Sequence, residues 1–372
     1  MKLRLSFLIP FLLVTGILVV SSLLTSFGSK LFTSTYVSQS IKNFAPENFI
    51  YLMGMEFSQV SDVLPAKTKP PKVSTIVFKA ATNLKPGDIR SLLGRELPGF
   101  YAYDAEIIYA GNGADYTNLP VESSPPLEEL LKDNEINEDK IITEETPEET
   151  EKPDQTTNGR KVVYIYHTHS YESFKPLLKN GAVSSNNEKV NVIAVGSKLA
   201  EELEKRGIGV LHDKTNMAEM LNAKGLKTNA AYNVSRTIVA SALAKNTDIT
   251  NIIDIHRDSQ GRELTTTTIN GKSYARISLV LGKEVQNYEK NRSFALEFKK
   301  KMEAKYPGLI FHIFSKGFDE GNGKYNQDLA SQAMLFEIGG VDNTLDELYR
   351  SAEALADVYS EIYWQAEKVM AQ

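Results

Sequence analysis

From Lys161 onward the chain alternates short apolar runs with longer segments of helical spacing, and few folds accept that alternation. "KVVYIYH" and "ITNIIDIH" are β-branched and aromatic, and read as buried strands. "IGVLHDK", "LIFHIFSK" and "AMLFEIGG" read the same way. Between them, "VNVIAVGSKLAEELEKRG" carries apolar residues at helical spacing and stops at Gly207. "NAAYNVSRTIVASALAKN" and "YEKNRSFALEFKKKMEAKYP" are two more helices, and "TLDELYRSAEALADVYSEIYWQAEKVM" is a long closing one. "TTTTINGKSYARISLVLG" reads as a hairpin turning at Asn270–Gly271. The pattern predicts an α/β domain over 161–372, with a mostly parallel sheet flanked by helices on both faces.

The N-terminal part reads differently. Lys2 and Arg4 precede an apolar stretch with no further charge until Lys30. At about 1.5 Å per residue, that stretch spans a hydrocarbon core of roughly 30 Å. Residues 1–29 are therefore expected to form a signal-anchor or transmembrane helix, with the basic end cytoplasmic and the remainder outside the cell membrane. Residues 30–115 read as a small mixed membrane-proximal region without a catalytic constellation. Residues 116–160 read as an acidic, disordered linker. Thirteen Asp/Glu against three Lys lie between 121 and 155, so the net charge of −5 conceals a balance of five positive charges elsewhere. Such a stretch lacks the apolar surface to offset its own ordering. A mildly basic body suits an anionic partner or matrix.

The chain has no cysteine, which excludes disulfides, thiolate catalysis and thiolate metal sites. Any metal centre must use His, Asp or Glu. All five histidines (His167, His169, His212, His256 and His312) lie in the C-terminal domain. In a sheet of this kind, functional groups gather beyond the C-terminal ends of the strands. His167 and His169 end one predicted strand, His256 another, and Glu337 a third. Residues two apart in extended chain point the same way, so His167 and His169 are expected to share a face. A turn after His169 would bring Glu172 back toward it. His169, Glu172 and His256 would then supply three ligands to zinc with one position open for water. Glu337 would act as general base and then general acid. Asp254, mid-strand, could orient an imidazole. No phosphate-binding or dinucleotide-binding glycine motif is present, and nothing points to nucleic acid. Ser170 lacks a glycine-flanked elbow, so a serine nucleophile has no support.

The motifs "YIYHTHSYESF", "VNVIAVGSKLAEELEKRGIGVLHDKT", "IDIHRDS" and "FEIGG" together resemble those of the stage II sporulation protein P family, across essentially all of 160–372. More distantly, the order His…Glu…His…Glu is similar to that of zinc N-acetylmuramoyl-L-alanine amidases. The resemblance implies a membrane-anchored, zinc-dependent peptidoglycan hydrolase of endospore formation. Such enzymes cleave the amide between muramic acid and L-alanine, and the family is also credited with an endopeptidase action. The resemblance further implies a partner, the sporulation protein D lytic transglycosylase, at the engulfing septum. Carried over by position, His169 and His256 are metal imidazoles and Glu337 the acid/base. Two alternatives stay open. The amidase register offers Glu188 as the ligand glutamate, whereas the "HTHSYES" motif offers Glu172. Likewise His167 could replace His169, and otherwise sits near substrate. Arg257 could hold a substrate carboxylate. The competing readings are a non-catalytic wall-binding scaffold and another extracellular metallo-carboxypeptidase.

Overall fold

The computed structural model describes residues 105–122, 125–141, 153–317 and 321–370. The anchor expected at 1–29 and nearly all of the membrane-proximal region lie outside them. Among the described residues no helix is long and apolar enough to cross a membrane.

The described residues form nine strands, in chain order β1 (Glu106–Ala110), β2 (Val163–Tyr166), β3 (Val210–His212), β4 (Asn251–Asp258), β5 (Thr266–Ile269), β6 (Lys272–Ala275), β7 (Ile277–Gly282), β8 (Ile310–Lys316) and β9 (Gln332–Gly340). The helices are α1 (Leu127–Leu130), α2 (Val192–Lys205), α3 (Met217–Ala223), α4 (Ala231–Lys245), α5 (Arg262–Thr265), α6 (Tyr288–Lys305) and α7 (Leu345–Met370). Seven strands make one sheet in the order β1-β8-β7-β9-β4-β2-β3, and β5 and β6 make a separate hairpin.

The sheet is mixed rather than mostly parallel. β3, β2, β4 and β9 run parallel, but β7 joins β9 antiparallel and β1 joins β8 antiparallel. The connection explains the reversal. Between β4 and β7 lie only the one-turn α5 and the hairpin, with no long helix to carry the chain back across the sheet. The chain therefore re-enters from the end at which it left. The hairpin turns where the sequence predicts, with Asn270 and Gly271 both at positive φ (50° and 77°), as a tight two-residue turn requires.

Period-two alternation assigns the two faces of the sheet. Val163, Ile165, Ile253, Ile255, Phe336 and Ile338 point to one side and pack under α2, α6 and α7. Tyr164, Tyr166, Ile252 and Ala333 point to the other, under Val239, Ala242 and Leu243 of α4. The helix α2 starts where Asn191 accepts a hydrogen bond from the Ile193 amide (2.9 Å) and ends before Gly207, at φ +80°.

The described residues of the segment expected to be linker are packed onto the domain. Leu119 and Leu130 are buried, and Ile136 bridges to Leu178, while β1, from the end of the expected membrane-proximal region, pairs with β8. Leu119, Leu130 and Ile136 are anchors, while most of the segment's described carboxylates face solvent. Composition averaged over the segment hides that division.

Candidate active site

The parallel strands β2, β4 and β9 end at one edge of the sheet, and their ends hold the candidate chemistry. His256 and Glu337 sit opposite each other in the β4–β9 register, so both project from the same face. His169 and Glu172 reach that face from the turn after β2. Thr168 makes the turn: its amide and hydroxyl both donate to Asp254, at 2.9 and 2.6 Å. The Glu172 amide then donates to the His169 carbonyl at 3.0 Å, which brings the glutamate back over the imidazole.

His169, Glu172 and His256 are buried, and one ligand atom from each lies within 4.8 Å of the others. His169 Nδ1 is 3.6 Å from Glu172 Oε1, and His256 Nδ1 is 3.4 Å from Glu172 Oε2. None of His169 Nδ1, Glu172 Oε1 and His256 Nδ1 has a hydrogen-bond partner. A buried polar atom without a partner costs about 1–3 kcal/mol, so three converging on one point call for something that satisfies all of them. A cation does. The set of two imidazole nitrogens and a carboxylate oxygen is one that zinc accepts.

The surroundings fit the same reading. The Arg257 amide donates to Glu172 Oε2 at 3.0 Å and holds that carboxylate in place. Asp254 Oδ1 lies 3.1 Å from His256 Nε2, the orienting role its mid-strand position suggests. Burial pushes the Glu172 carboxyl up, but His256, His169 and Arg257 outweigh it and hold it below the usual carboxylate range. Burial alone would lower the His256 imidazole; the Asp254 and Glu172 carboxylates outweigh it and raise it well above its ordinary value. So without a metal the site holds a proton where a cation would bind. Glu337 is the opposite case. Burial pushes its carboxyl well above the usual range, against the pull of His256 and with the help of Glu172, Asp258 and Glu122. Glu337 Oε2 also lacks a partner.

The structure separates what the sequence grouped. His167 does not share a face with His169, because β2 ends at Tyr166 and the Thr168 turn swings the second histidine across. His167 instead places Nδ1 3.2 Å from the Ile255 carbonyl and Nε2 2.9 Å from His212 Nε2, under α2. It does not reach the metal-ligand cluster. Arg257 is held by backbone carbonyls. It is 1% exposed and donates to the carbonyls of Ser173 (3.0 Å), Val183 (2.8 Å) and Asp258 (3.3 Å). Its guanidinium ties down the loop behind Glu172. Glu188 is exposed at the surface, 3.6 Å from Lys214, and takes no part in the cluster. Ser170 accepts from the Met217 amide (2.9 Å) at the start of α3.

Two site residues escaped the sequence reading. Tyr232, on α4, lies edge-on to His169 (5.4 Å between centroids) and roughly stacked with His256 (6.3 Å). Glu122, from the acidic segment, has Oε2 4.0 Å from His169 Nδ1 and accepts from the Tyr232 hydroxyl at 3.2 Å. No sequence signal marked either residue; Leu119, buried three residues before Glu122, is where the acidic stretch docks.

Comparison with known proteins follows the same direction. The family described as stage II sporulation protein P matches residues 87–360. The stage II sporulation protein P of Bacillus subtilis (strain 168) is 45% identical over 361 residues, covering 95% of this chain and 90% of its own. Solved structures are similar only loosely. The CwlD amidase from Clostridioides difficile, in complex with the GerS lipoprotein, is 14% identical with a TM-score of 0.38, covering 55% of this chain and 99% of its own. A metallo-carboxypeptidase from Burkholderia cenocepacia is 12% identical with a TM-score of 0.35, covering 57% and 60%. With its sequence matched from 87 to 360 and nearly half of its residues shared with the Bacillus relative, the chain belongs to the stage II sporulation protein P family.

Proposed function

We propose that this chain is a zinc-dependent peptidoglycan hydrolase that cleaves the amide between N-acetylmuramic acid and L-alanine during endospore formation. The observation that carries this reading is the convergence of three partnerless buried atoms, on His169, Glu172 and His256, beside a carboxyl of raised pKa on Glu337. His169, Glu172 and His256 would hold the metal. When bound, zinc supplies a Lewis acid that polarises a carbonyl and makes water a nucleophile near neutral pH.

The chain's own residues do the rest. Glu337 takes a proton from the attacking water as its oxygen bonds to the amide carbon. It then delivers that proton to the leaving nitrogen as the carbon–nitrogen bond breaks. A carboxyl whose affinity for a proton is raised by burial suits both steps. Asp254 keeps the His256 ring turned toward the ligand cluster, and the Arg257 amide keeps Glu172 from rotating away. The proposal includes an anchor at 1–29 that places the enzyme outside the cell membrane, the sporulation protein D transglycosylase as partner, and a second, endopeptidase action on peptide cross-links.

The test is zinc content and product chemistry of the purified full chain on isolated peptidoglycan. Stem peptides with a free L-alanine amine are expected. Glu337→Gln should keep its zinc and lose about 10³-fold in rate. Full activity after exhaustive chelation, or full activity of Glu337→Gln, overturns the reading.

A further inference from the structure

The acidic segment before the catalytic domain crosses the sheet on the face that holds the site, and it is tied there along its length. The Gln260 side chain donates to the Asn118 and Leu119 carbonyls, at 2.8 and 3.1 Å. The Val121 amide donates to Asp258 at 3.3 Å, and Lys316 donates to the Pro120 carbonyl at 3.4 Å. Asn118 Oδ1 lies 3.1 Å from His312 Nε2. Leu119 is buried in a cluster with Val280, Phe314, Tyr325 and Leu335, from three different strands and a loop. These ties come from the ends of β4 and β8 and from the sheet face between them. A strap held at so many points is part of the framework, unlike a plug that lifts away.

Glu122, three residues beyond Leu119, arrives at the metal cluster. His169 Nδ1 is buried and partnerless, and two carboxylates face it: Glu172 Oε1 at 3.6 Å and Glu122 Oε2 at 4.0 Å. Glu122 Oε1 is fixed by the Tyr232 hydroxyl, and the Tyr232 ring lies against both site imidazoles. The pair Glu122–Tyr232 therefore roofs the cluster from the side opposite the sheet. Glu122 is itself partly open to solvent, with its side chain 21% exposed, so it stands between the buried ligands and the outside.

We propose that Glu122 is a fourth site carboxylate, delivered by the N-terminal strap, which faces the bound cation beyond the three ligands and retains it in the site. The catalytic unit then does not begin at residue 161; it includes the strap. This rests on the metal reading above. A unit negative charge a few ångströms from a divalent cation in a partly buried setting favours the bound state even without direct coordination.

The experiment measures zinc affinity of the purified full chain by competition with a chromogenic chelator, for wild type, Glu122→Gln and Tyr232→Phe. Glu122→Gln is isosteric and keeps the acceptor for the Tyr232 hydroxyl, so it changes the charge and little else. About a tenfold weaker zinc affinity is expected for Glu122→Gln. A smaller loss in the same direction is expected for Tyr232→Phe, which frees the carboxylate to swing out. Thermal unfolding of the zinc-free proteins should be unchanged by Glu122→Gln, which separates charge from fold. If wild type and Glu122→Gln bind zinc equally, the strap is only a structural element and this inference fails while the metal reading stands. If wild type takes up no zinc, the metal reading fails and takes this inference with it.

Discussion

The motif that links β2 to the following turn sends one histidine to each side of the sheet, and the two sides treat imidazole in opposite ways. Under α2, His167 and His212 close on each other. Both ring nitrogens of His167 are matched, one to the Ile255 carbonyl and one to His212. On the other side, His169 and His256 stand edge to face with centroids 4.9 Å apart, and each keeps a partnerless Nδ1 near Glu172. His167 is buried as fully as His169 and His256, so burial does not mark a ligand. A partnerless nitrogen alone does not mark one either, since His312 Nδ1 is also unmatched and joins no cluster among the described residues. What distinguishes the open pair is convergence with a carboxylate oxygen that is itself unmatched.

The sharpest way to break this comparison is to truncate one member of each pair. His256→Ala removes a ligand, and zinc affinity should fall by more than the 10–100-fold typical of losing an orienting partner. Hydrolysis should fall to background with it. His212→Ala removes a ring that touches only the closed pair, and should leave zinc stoichiometry at the wild-type value. Zinc titration of both variants checks this. Loss of zinc from His212→Ala would show that the closed pair is part of the metal site.

A smaller effect is expected from crowding the closed pair. A Cβ at Gly196 would lie 2.6 Å from His167 Cε1 and Nε2, and 2.8 Å from His212 Nε2. Gly196 thus lets α2 approach both rings, which sit against the helix with little room to move. Gly196→Ala should destabilise the fold by about 1–3 kcal/mol, as overpacking does, with zinc binding retained. Urea unfolding gives the first number and chelator competition the second. An undiminished stability would mean that the rings move aside freely, and that the pair is not packed as described.

The sequence made the strands and the main helices legible because each carries one clear period. It also pointed to the strand ends where His169, Glu172 and His256 come together, while leaving Glu188 and His167 open as alternatives. It did not separate His167 from His169. The rule that residues two apart share a face holds only while the chain is extended, and Thr168 ends the extension by bonding to Asp254, a residue 86 positions away. The contacts of Arg257 were hidden for a related reason: carbonyls of the loop at Ser173 and Val183 accept from it, and nothing local in "IDIHRDS" points to them. Glu122 was hidden by averaging. In a stretch dominated by carboxylates, one carboxylate with a buried leucine three residues before it carries no distinguishing mark until the partner surface is known.

The two pairs should also differ in the sign of their pH dependence in the zinc-free protein. Burial pushes His167 down to about 4 from an ordinary 6.5, so the folded state binds fewer protons than the unfolded chain between those values. Its contribution to stability is fully present above about 6.5 and is lost as pH falls toward 4. His256 is raised well above 6.5, because Asp254 and Glu172 outweigh its burial. Its contribution is fully present below about 6.5 and is lost as pH rises through its folded value. Each effect has a slope on the order of 1 kcal/mol per pH unit within its window. Zinc-free wild type, His167→Gln and His256→Gln can be unfolded in urea from pH 5 to 9. The stability advantage of wild type over His167→Gln should grow from pH 5 to 7, and that over His256→Gln should shrink from pH 7 to 9. Parallel curves for the two variants would mean that the two sides of the sheet hold their histidines in the same way. The closed and open pairs would then differ in geometry alone.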